Sequence, residues 1–304
     1  MKRTRLSSID ILGITLGAIV ILIVLGSIVV IAKGQMFDFR FNVLEGRASW
    51  GDQSFSVGGA IRQEADEELP AGTYTAVEVR NIAGSIDISG SSSASGIAVH
   101  SARTAPSQAA MDGLHVDIQK QGDRLVIQEK HDRGFFLRSF GTVSFRITVP
   151  AGVKVIEARS VSGNIDVNGV SANVDQTLST VSGRVATSAA HNLDISSTSG
   201  HVSFTSSGPE LSAHSVSGSI DGTISALGPS GSARLNTVSG SVTLSAYAAL
   251  DANLSLHSVS GSVSCGFPVT ISEQKRNRLQ GRIGSGAARL DIGTVSGSIT
   301  ISKQ

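Results

Sequence analysis

Asp166 and Asp221 hold the same place in two copies of a short repeat, three residues after a glycine. Two carboxylates on one outward face are what glycan cleavage by general acid and base requires. Counting copies, however, sets these two three strand spacings apart, about 14 Å, which is too far for a working pair. Arg184 and His201 occupy the place one after the glycine in consecutive copies and are neighbours, as polar residues of a solvated strand face are. Asn164-Ile165-Asp166-Val167-Asn168-Gly169, with Asp175 in twelfth place, brushes the spacing of a helix-flanked calcium loop. It opens on Asn, closes on Asp, has no helical periodicity beside it, and its Ile165 and Val167 fit a strand. Seven histidines (His100, His115, His131, His191, His201, His214 and His257) form no zinc spacing, and no Gly-x-Ser-x-Gly elbow joins a strand to a helix. Cys265, the only cysteine, falls on an inward position and reads as a small buried apolar residue; a disulfide within the chain is excluded. No catalytic, cofactor-binding or metal-binding residue is assigned, the ligand is unspecified, and the expectation is a protein that is not an enzyme.

What positions these residues is the repeat. Thr237-Val238-Ser239-Gly240-Ser241-Val242-Thr243-Leu244 returns, little changed, around Gly163, Gly183, Gly218, Gly261 and Gly297, more loosely around Gly200, and far upstream around Gly84. Successive glycines from 163 to 297 are 20, 17, 18, 22, 21 and 36 residues apart. A degenerate copy at Gly281 would divide the last step. A period near twenty, held over this many copies, marks stacked repeats. Two after each glycine stands Ile or Val, four after is mostly apolar, and two before is Val in most copies, all read as one buried face. Glycine falls on that same face, where the interior is too narrow for a side chain or the backbone bends. Apolar residues seven and five before, such as Leu254 and Leu256 or Leu290 and Ile292, are out of phase with the residue two before, so a corner is expected between five and two before. Strand, corner, strand and loop make one coil of a β-solenoid, an all-β fold in which each coil buries its apolar side against the next. Eight coils at the ordinary strand spacing make a rod about 40 Å long. Serine and threonine one and three before glycine are read as hydroxyl ladders on the outside.

The flanking chain divides in order. Met1 to Asp10, with Lys2, Arg3 and Arg5, reads as a cytoplasmic tail. Residues 11–32 are 22 in a row without charge, long enough to cross a hydrocarbon core of about 30 Å as one transmembrane helix. The alternative, a cleaved signal peptide, wants a shorter apolar core and a better cleavage site than Val30-Ile31-Ala32. Residues 33–72 read as a juxtamembrane stalk and residues 73–304 as the repeat domain outside the cytoplasm, with an irregular, hairpin-containing part over 73–155 and regular repeats over 156–304. Solenoids need covered ends; the irregular part is expected to cover the first end. At the other end the chain stops three residues past Ile301, so the last coil is expected to present an edge, blunted by Lys303 or paired with another molecule. Aromatic and basic residues of the loop from His131 to Phe140 suit a contact or a cap core equally. A net charge of +1 over 304 residues offers nothing for nucleic acid.

The passage Thr75-Ala76-Val77-Glu78-Val79 leading into Gly84-Ser85-Ile86-Asp87-Ile88, the Leu114–Ile127 hairpin with its Gly122-Asp123, Phe145-Arg146-Ile147-Thr148-Val149-Pro150-Ala151-Gly152 and the serial Val-Ser-Gly strands resemble the bacterial adhesin-like family of β-strand-repeat domains of unknown function. The resemblance covers roughly residues 60–304. It implies an envelope protein, often behind an amino-terminal membrane helix, with no established catalytic or cofactor residues. The expectation is therefore a single-pass membrane protein whose exported solenoid is a structural or binding module, with an envelope glycan or another envelope protein as partner and self-association through the carboxyl-terminal edge. A sensor of envelope state and a glycan-acting solenoid enzyme are the other two classes.

Overall fold

The computed structural model describes the backbone of residues 39–42, 47–50 and 53–56, and both backbone and side chains of 60–70, 74–132 and 141–304. The chain divides into two units, Met1–Gly58 and Gly59–Gln304. In the first, strands Phe39–Asn42, Arg47–Trp50 and Gln53–Ser56 form an antiparallel sheet in chain order. The apolar segment 11–32 and the loop 133–140 lie outside the described residues. Among those described, no helix is long and apolar enough to cross a membrane.

Among its described residues the second unit is all-β apart from one short helix, Gln108–Asp112. Each repeat supplies a long strand to one sheet and a short strand to another, with a bend at the glycine between them. Long strands Ala76–Ala83, Val155–Ser162, Asp175–Ser182, Leu193–Ser199, Glu210–Ser217 and Ser232–Ser239 pair in parallel, in chain order. The matching short strands run in the same order from Ile86–Ser91 to Val242–Ala246. Parallel in-register stacking gives each backbone amide a partner on the next coil and buries the enclosed side chains between the two sheets.

The inward positions differ in part from the sequence reading. Residues seven and five before glycine are buried, as with Ile156 and Ala158 or Leu290 and Ile292, and so are those two and four after, as with Ile165 and Val167. Burial continues in phase to three before glycine, so Ser160, Thr180, Ser197, Ser215, Thr237, Ser258 and Thr294 are interior, at most 6% exposed. The valines two before point outward: Val161 is 50% exposed and Val259 62%. The corner therefore lies at the Ser-Gly step, where the odd spacing from three before to two after reverses the pleat. In four coils the inward hydroxyl donates to a glycine carbonyl of the neighbouring coil, Thr180 to Gly163 (3.3 Å), Thr237 to Gly218 (3.0 Å), Ser258 to Gly297 (2.9 Å) and Thr294 to Gly240 (3.0 Å), whereas those of Ser160, Ser197 and Ser215 have no partner among the described residues. A satisfied buried hydroxyl costs little, whereas a bare one costs about 1–3 kcal/mol.

The glycine column is set by close approach. A Cβ on Gly200 would sit 1.9 Å from the Gly183 carbonyl oxygen, and one on Gly218 would sit 2.0 Å from that of Gly200. Only hydrogen fits where the corners of successive coils nest. The two irregular inward positions are complementary substitutions. Phe204 fills the room left by Gly222 directly opposite, whose Cβ would lie 2.2 Å from the ring. Thr187 donates to Gln176, 2.7 Å away across the core, and the Gln176 amide donates to the Ala189 carbonyl.

Both ends depart from chain order. At the amino-terminal end, after the first coil (residues 76–91), the chain builds a cover beyond it and returns to place the second coil on its open side. The cover comprises Thr142–Pro150 and Gly96–Ala105 on the short-strand sheet, and the antiparallel hairpin Leu114–Gln121 with Arg124–His131 on the long-strand sheet. Ile61–Pro70, assigned from sequence to the stalk, is the outermost strand of the short-strand sheet, antiparallel to Gly96–Ala105. At the other end the coil of Gly297, last in sequence, is inserted between the coils of Gly240 and Gly261. Ala288–Ser296 separates Ser232–Ser239 from Ala252–Ser260, and Ile299–Lys303 separates Val242–Ala246 from Val263–Cys265. Gly281 marks no coil: it lies in Arg278–Ile283, which with Thr270–Lys275 forms an antiparallel hairpin closing the long-strand sheet. The strand containing Ile301 is thus interior, and the outermost short strand is Val263–Cys265. Cys265 is half-buried rather than buried, because no coil lies above it.

Candidate binding surface

The outward turn of the residue two before glycine assembles a surface feature. In spatial order, Ile82, Val161, Val181, Thr198, Val216, Val238, Val295 and Val259 follow one another along one corner of the solenoid. Val161, Val181, Val295 and Val259 are exposed and the other four half-buried. Beside them runs the column of exposed serines one before glycine: Ser162, Ser182, Ser199, Ser217, Ser239, Ser296 and Ser260. At about 4.8 Å per coil the ridge is about 34 Å long. An apolar stripe rimmed by polar groups, exposed at Val161 and Val181 and again at Val295 and Val259, is a contact surface in form. β-branched residues recur here because the position is extended backbone, which suits them even where nothing is buried.

A second feature crosses the outer face of the short-strand sheet. Asp66, His100, Arg146, Asp87 and Asp166 stand opposite one another on five adjacent strands. Asp87 and Asp166 are directly opposed like charges, an arrangement that costs sheet stability. Arg184 reaches Asp166 at 2.5 Å, Asp87 accepts from the Ser85 hydroxyl at 3.0 Å, and His100 meets Asp66 at 2.7 Å. Burial pushes the Asp166 carboxyl above the usual carboxylate range; Arg184 opposes that and Asp87 adds to it. Asp87 does not stand out in the sequence as a neighbour of Asp166, since 79 residues separate Gly84 from Gly163 and nothing local shows that those coils touch. The repeat position three after glycine was the available signal.

The other residues singled out from sequence disperse. Asp166 and Asp221 stand three strands apart, and His201 faces Asp221 at 3.3 Å while Arg184 turns to Asp166. Asp175 lies in the other sheet from Asp166 and accepts from the Asn192 amide at 3.1 Å. Asn164 accepts from the Arg184 amide at 2.9 Å. His115 faces Asp132 at 3.3 Å and His131 faces Glu129 at 2.6 Å. His214 lies 3.0 Å from the Ser212 hydroxyl, and burial lowers its basicity as it does that of His257. Burial raises the Cys265 thiol, which leaves it a poor nucleophile. Among the described residues no three His, Cys, Asp or Glu side chains gather as metal ligands.

This architecture, paired sheets from serial Val-Ser-Gly coils, coincides with a known family. Residues 175–302 match the family model Toastrack DUF4097. Over those residues the chain is similar to that family. The match begins after the coil of Gly163 and takes in the coils from Gly183 to Gly297, and it bears out the family read from sequence. No curated protein matches the chain. Solved structures similar to it include a candidate cell adhesion protein from Clostridium sporogenes (10% identity, TM-score 0.37, covering 80% of this chain and 100% of that one). A candidate adhesin from Bacteroides fragilis is 13% identical, with TM-score 0.39, covering 79% of this chain and 97% of that one. A candidate lipid-binding protein from Parabacteroides distasonis is 12% identical, with TM-score 0.24 and coverages of 79% and 96%.

Proposed function

We propose that this protein is a non-enzymatic binding module of the cell envelope, held to the membrane by residues 11–32, and that it engages its partner through the valine ridge of the solenoid. The observation that carries this reading is the exposure of Val161, Val181, Val295 and Val259 along one corner. An apolar column left in water at repeated positions gains the isolated fold no burial, only the suitability of β-branched residues for extended backbone, and gives a partner something to bury. The serine column beside it adds hydrogen-bonding groups without charge, which suits an envelope glycan or a protein surface. The amino-terminal span puts the domain outside the cytoplasm, with residues 1–10 inside.

The test is a binding screen of the full chain against envelope glycans and envelope proteins, repeated with Val161, Val181, Val295 and Val259 changed to Ser. Loss of a partner by the fourfold variant, with unfolding unchanged, is the expected result. Binding that survives the fourfold change removes the ridge from the reading. Resistance to alkaline extraction from membranes, with the domain open to external protease, is expected for the anchor.

A glycan-acting enzyme is favoured over a sensor by one observation, the opposed pair Asp87 and Asp166. In that reading Asp166, raised by burial, is the acid and Asp87 the second carboxylate. Turnover of cell-wall glycan that disappears in Asp87→Asn and Asp166→Asn would establish it at the expense of the binding module.

A further inference from the structure

The outer face of the long-strand sheet carries its charges in two different ways. Toward the amino-terminal end they alternate and pair: Glu78 accepts from Arg80 at 2.6 Å and from Arg124 at 2.9 Å, and Arg124 also reaches Glu157 at 2.9 Å. Over the following strands they separate by sign. Asp175–Ser182, Leu193–Ser199 and Glu210–Ser217 present Asp175, Asp194 and Glu210, and contain no lysine or arginine. The strands beyond them present Arg234, Arg289, Arg282, Arg278 and Lys275 against Asp291 and Glu273. By the strand registers Asp175, Glu210, Arg289 and Arg282 lie in one row, acidic at one end and basic at the other. Asp194, Glu210, Arg234 and Arg282 are exposed and, among the described residues, enter no ion pair and no side-chain hydrogen bond. An acidic field and a basic field thus lie side by side on one flat face, each with charge that nothing in the chain neutralises.

We infer that this face binds a second copy of the chain, with the two stacks antiparallel and a two-fold axis along the strand Ser232–Ser239. Glu210 and Arg289 stand one strand to either side of that axis, and Asp175 and Arg282 three strands to either side. The rotation therefore sets Glu210 of each copy opposite Arg289 of the other, and Asp175 opposite Arg282. A parallel arrangement would lay acidic field on acidic field and basic on basic, so charge selects the antiparallel one. Arg234 lies on the axis and meets its own copy, an approach offset by Asp291 directly opposite it in the same sheet. The seven strands from Asp175–Ser182 to Arg278–Ile283 make a face of about 34 Å by about 23 Å at ordinary strand dimensions, close to the roughly 800 Å² per partner that a specific interface buries. Such a contact is isologous and closes at two copies. It goes beyond the proposed function and does not depend on the ridge, which runs along a corner and not across the flat of this sheet.

The experiment follows the full chain in mild detergent by sedimentation. The wild type is expected to be a dimer at low salt and to dissociate near 1 M salt, where the screening length is about 3 Å. Asp194→Lys/Glu210→Lys and Arg282→Glu/Arg289→Glu are each expected to be monomeric, and both their equimolar mixture and a chain carrying all four changes to dimerise again. Position 234 meets itself only across this axis. Cys265→Ser/Arg234→Cys is therefore expected to oxidise to a disulfide-linked dimer, and Cys265→Ser/Thr243→Cys, altered on the other sheet, to stay single. A wild type that is monomeric at low salt overturns the proposal, and retention of that monomer on polyphosphate, lost in Arg282→Glu/Arg289→Glu, would assign the basic field to an anionic polymer instead. A dimer that survives both charge reversals, or an Arg234→Cys chain that does not cross-link, overturns it equally. Should a charge reversal shift the unfolding curve, the two cysteine variants decide alone.

Discussion

The two ends of the solenoid solve the same problem by opposite routes. At the amino-terminal end the chain lays down a coil, builds a cover beyond it and returns to the coil's open side, so growth proceeds from a finished end. At the carboxyl-terminal end the chain first places the outer coil of Gly261 and its hairpin, leaving a one-coil gap, and only then fills the gap with Ala288–Ser296 and Ile299–Lys303. The first end needs a dedicated side chain where the cover stops short of the corner. The buried Glu129 carboxylate accepts the Ile82 amide at 2.6 Å and the Ala83 amide at 3.1 Å. At the second end the filling coil has the ordinary corner on both faces, with Thr294 donating to the Gly240 carbonyl at 3.0 Å and Ser258 to that of Gly297 at 2.9 Å. A side chain is needed only at the outer coil, where the Asn277 amide donates to the Ser258 carbonyl at 3.0 Å. A regular coil is therefore an all-purpose spacer, and irregular chemistry is required only where a coil meets something that is not a coil.

The largest expected effect breaks the filled end. Stopping the chain after Ala287 removes both ladders that hold the Gly261 coil, and thermal unfolding should fall by about 10 °C or more, with loss of a single transition. An unchanged curve would mean that the outer coil closes onto the Gly240 coil unaided. Next comes the covered end: Glu129→Ala strands two half-buried amides and the His131 ring contact, and should cost about 2 kcal/mol in denaturant unfolding. Gly297→Ala and Gly163→Ala then test whether the filling coil is ordinary. Each Cβ would stand 2.0 Å from the facing glycine carbonyl oxygen, so both should cost about 1–3 kcal/mol and by similar amounts. A much smaller cost for Gly297→Ala would show the filled gap to be looser than the regular stack.

The smallest effect concerns the loop that leads into the filling coil. Asp251 accepts from the Ser285 hydroxyl at 2.7 Å and the Ala287 amide at 3.0 Å, and also from the Gly286 amide, and these bonds hold its carboxyl at about 2, below the ordinary 3.8. A carboxyl depressed in the folded state contributes stability that is full above its ordinary value and lost as the pH falls through the folded one. Acid unfolding between about pH 4 and pH 2 should therefore begin later in Asp251→Asn relative to its own neutral-pH stability. Identical acid profiles for the two would show that the loop is held by other contacts.

Much of this was legible in the chain of residues. The period, the bend near glycine and the burial of residues such as Ile165, Val202 and Leu256 follow from alternation alone, because a strand pair with one dry face admits little else. The phase at the corner was not legible. Valine and serine, two and three before glycine, look like inside and outside by polarity, yet the serine is inside, its polarity offset in several coils by a carbonyl that only the next coil supplies. Asp87 and Asp166 likewise became neighbours only through stacking.

By itself, the sequence determined that the chain makes coils, where each one turns and which residues two and four after glycine it buries, since those are consequences of local pleat and apolar period. Tertiary structure decided the order in which the coils stack at the ends. The linker Tyr247–Asp251 spans two strand spacings with no more residues than linkers elsewhere use for one, so the step of 21 between Gly240 and Gly261 could not distinguish a neighbouring coil from one left a place apart. Where every coil offers the same ladder to either face, only the closing of the whole stack selects which faces meet.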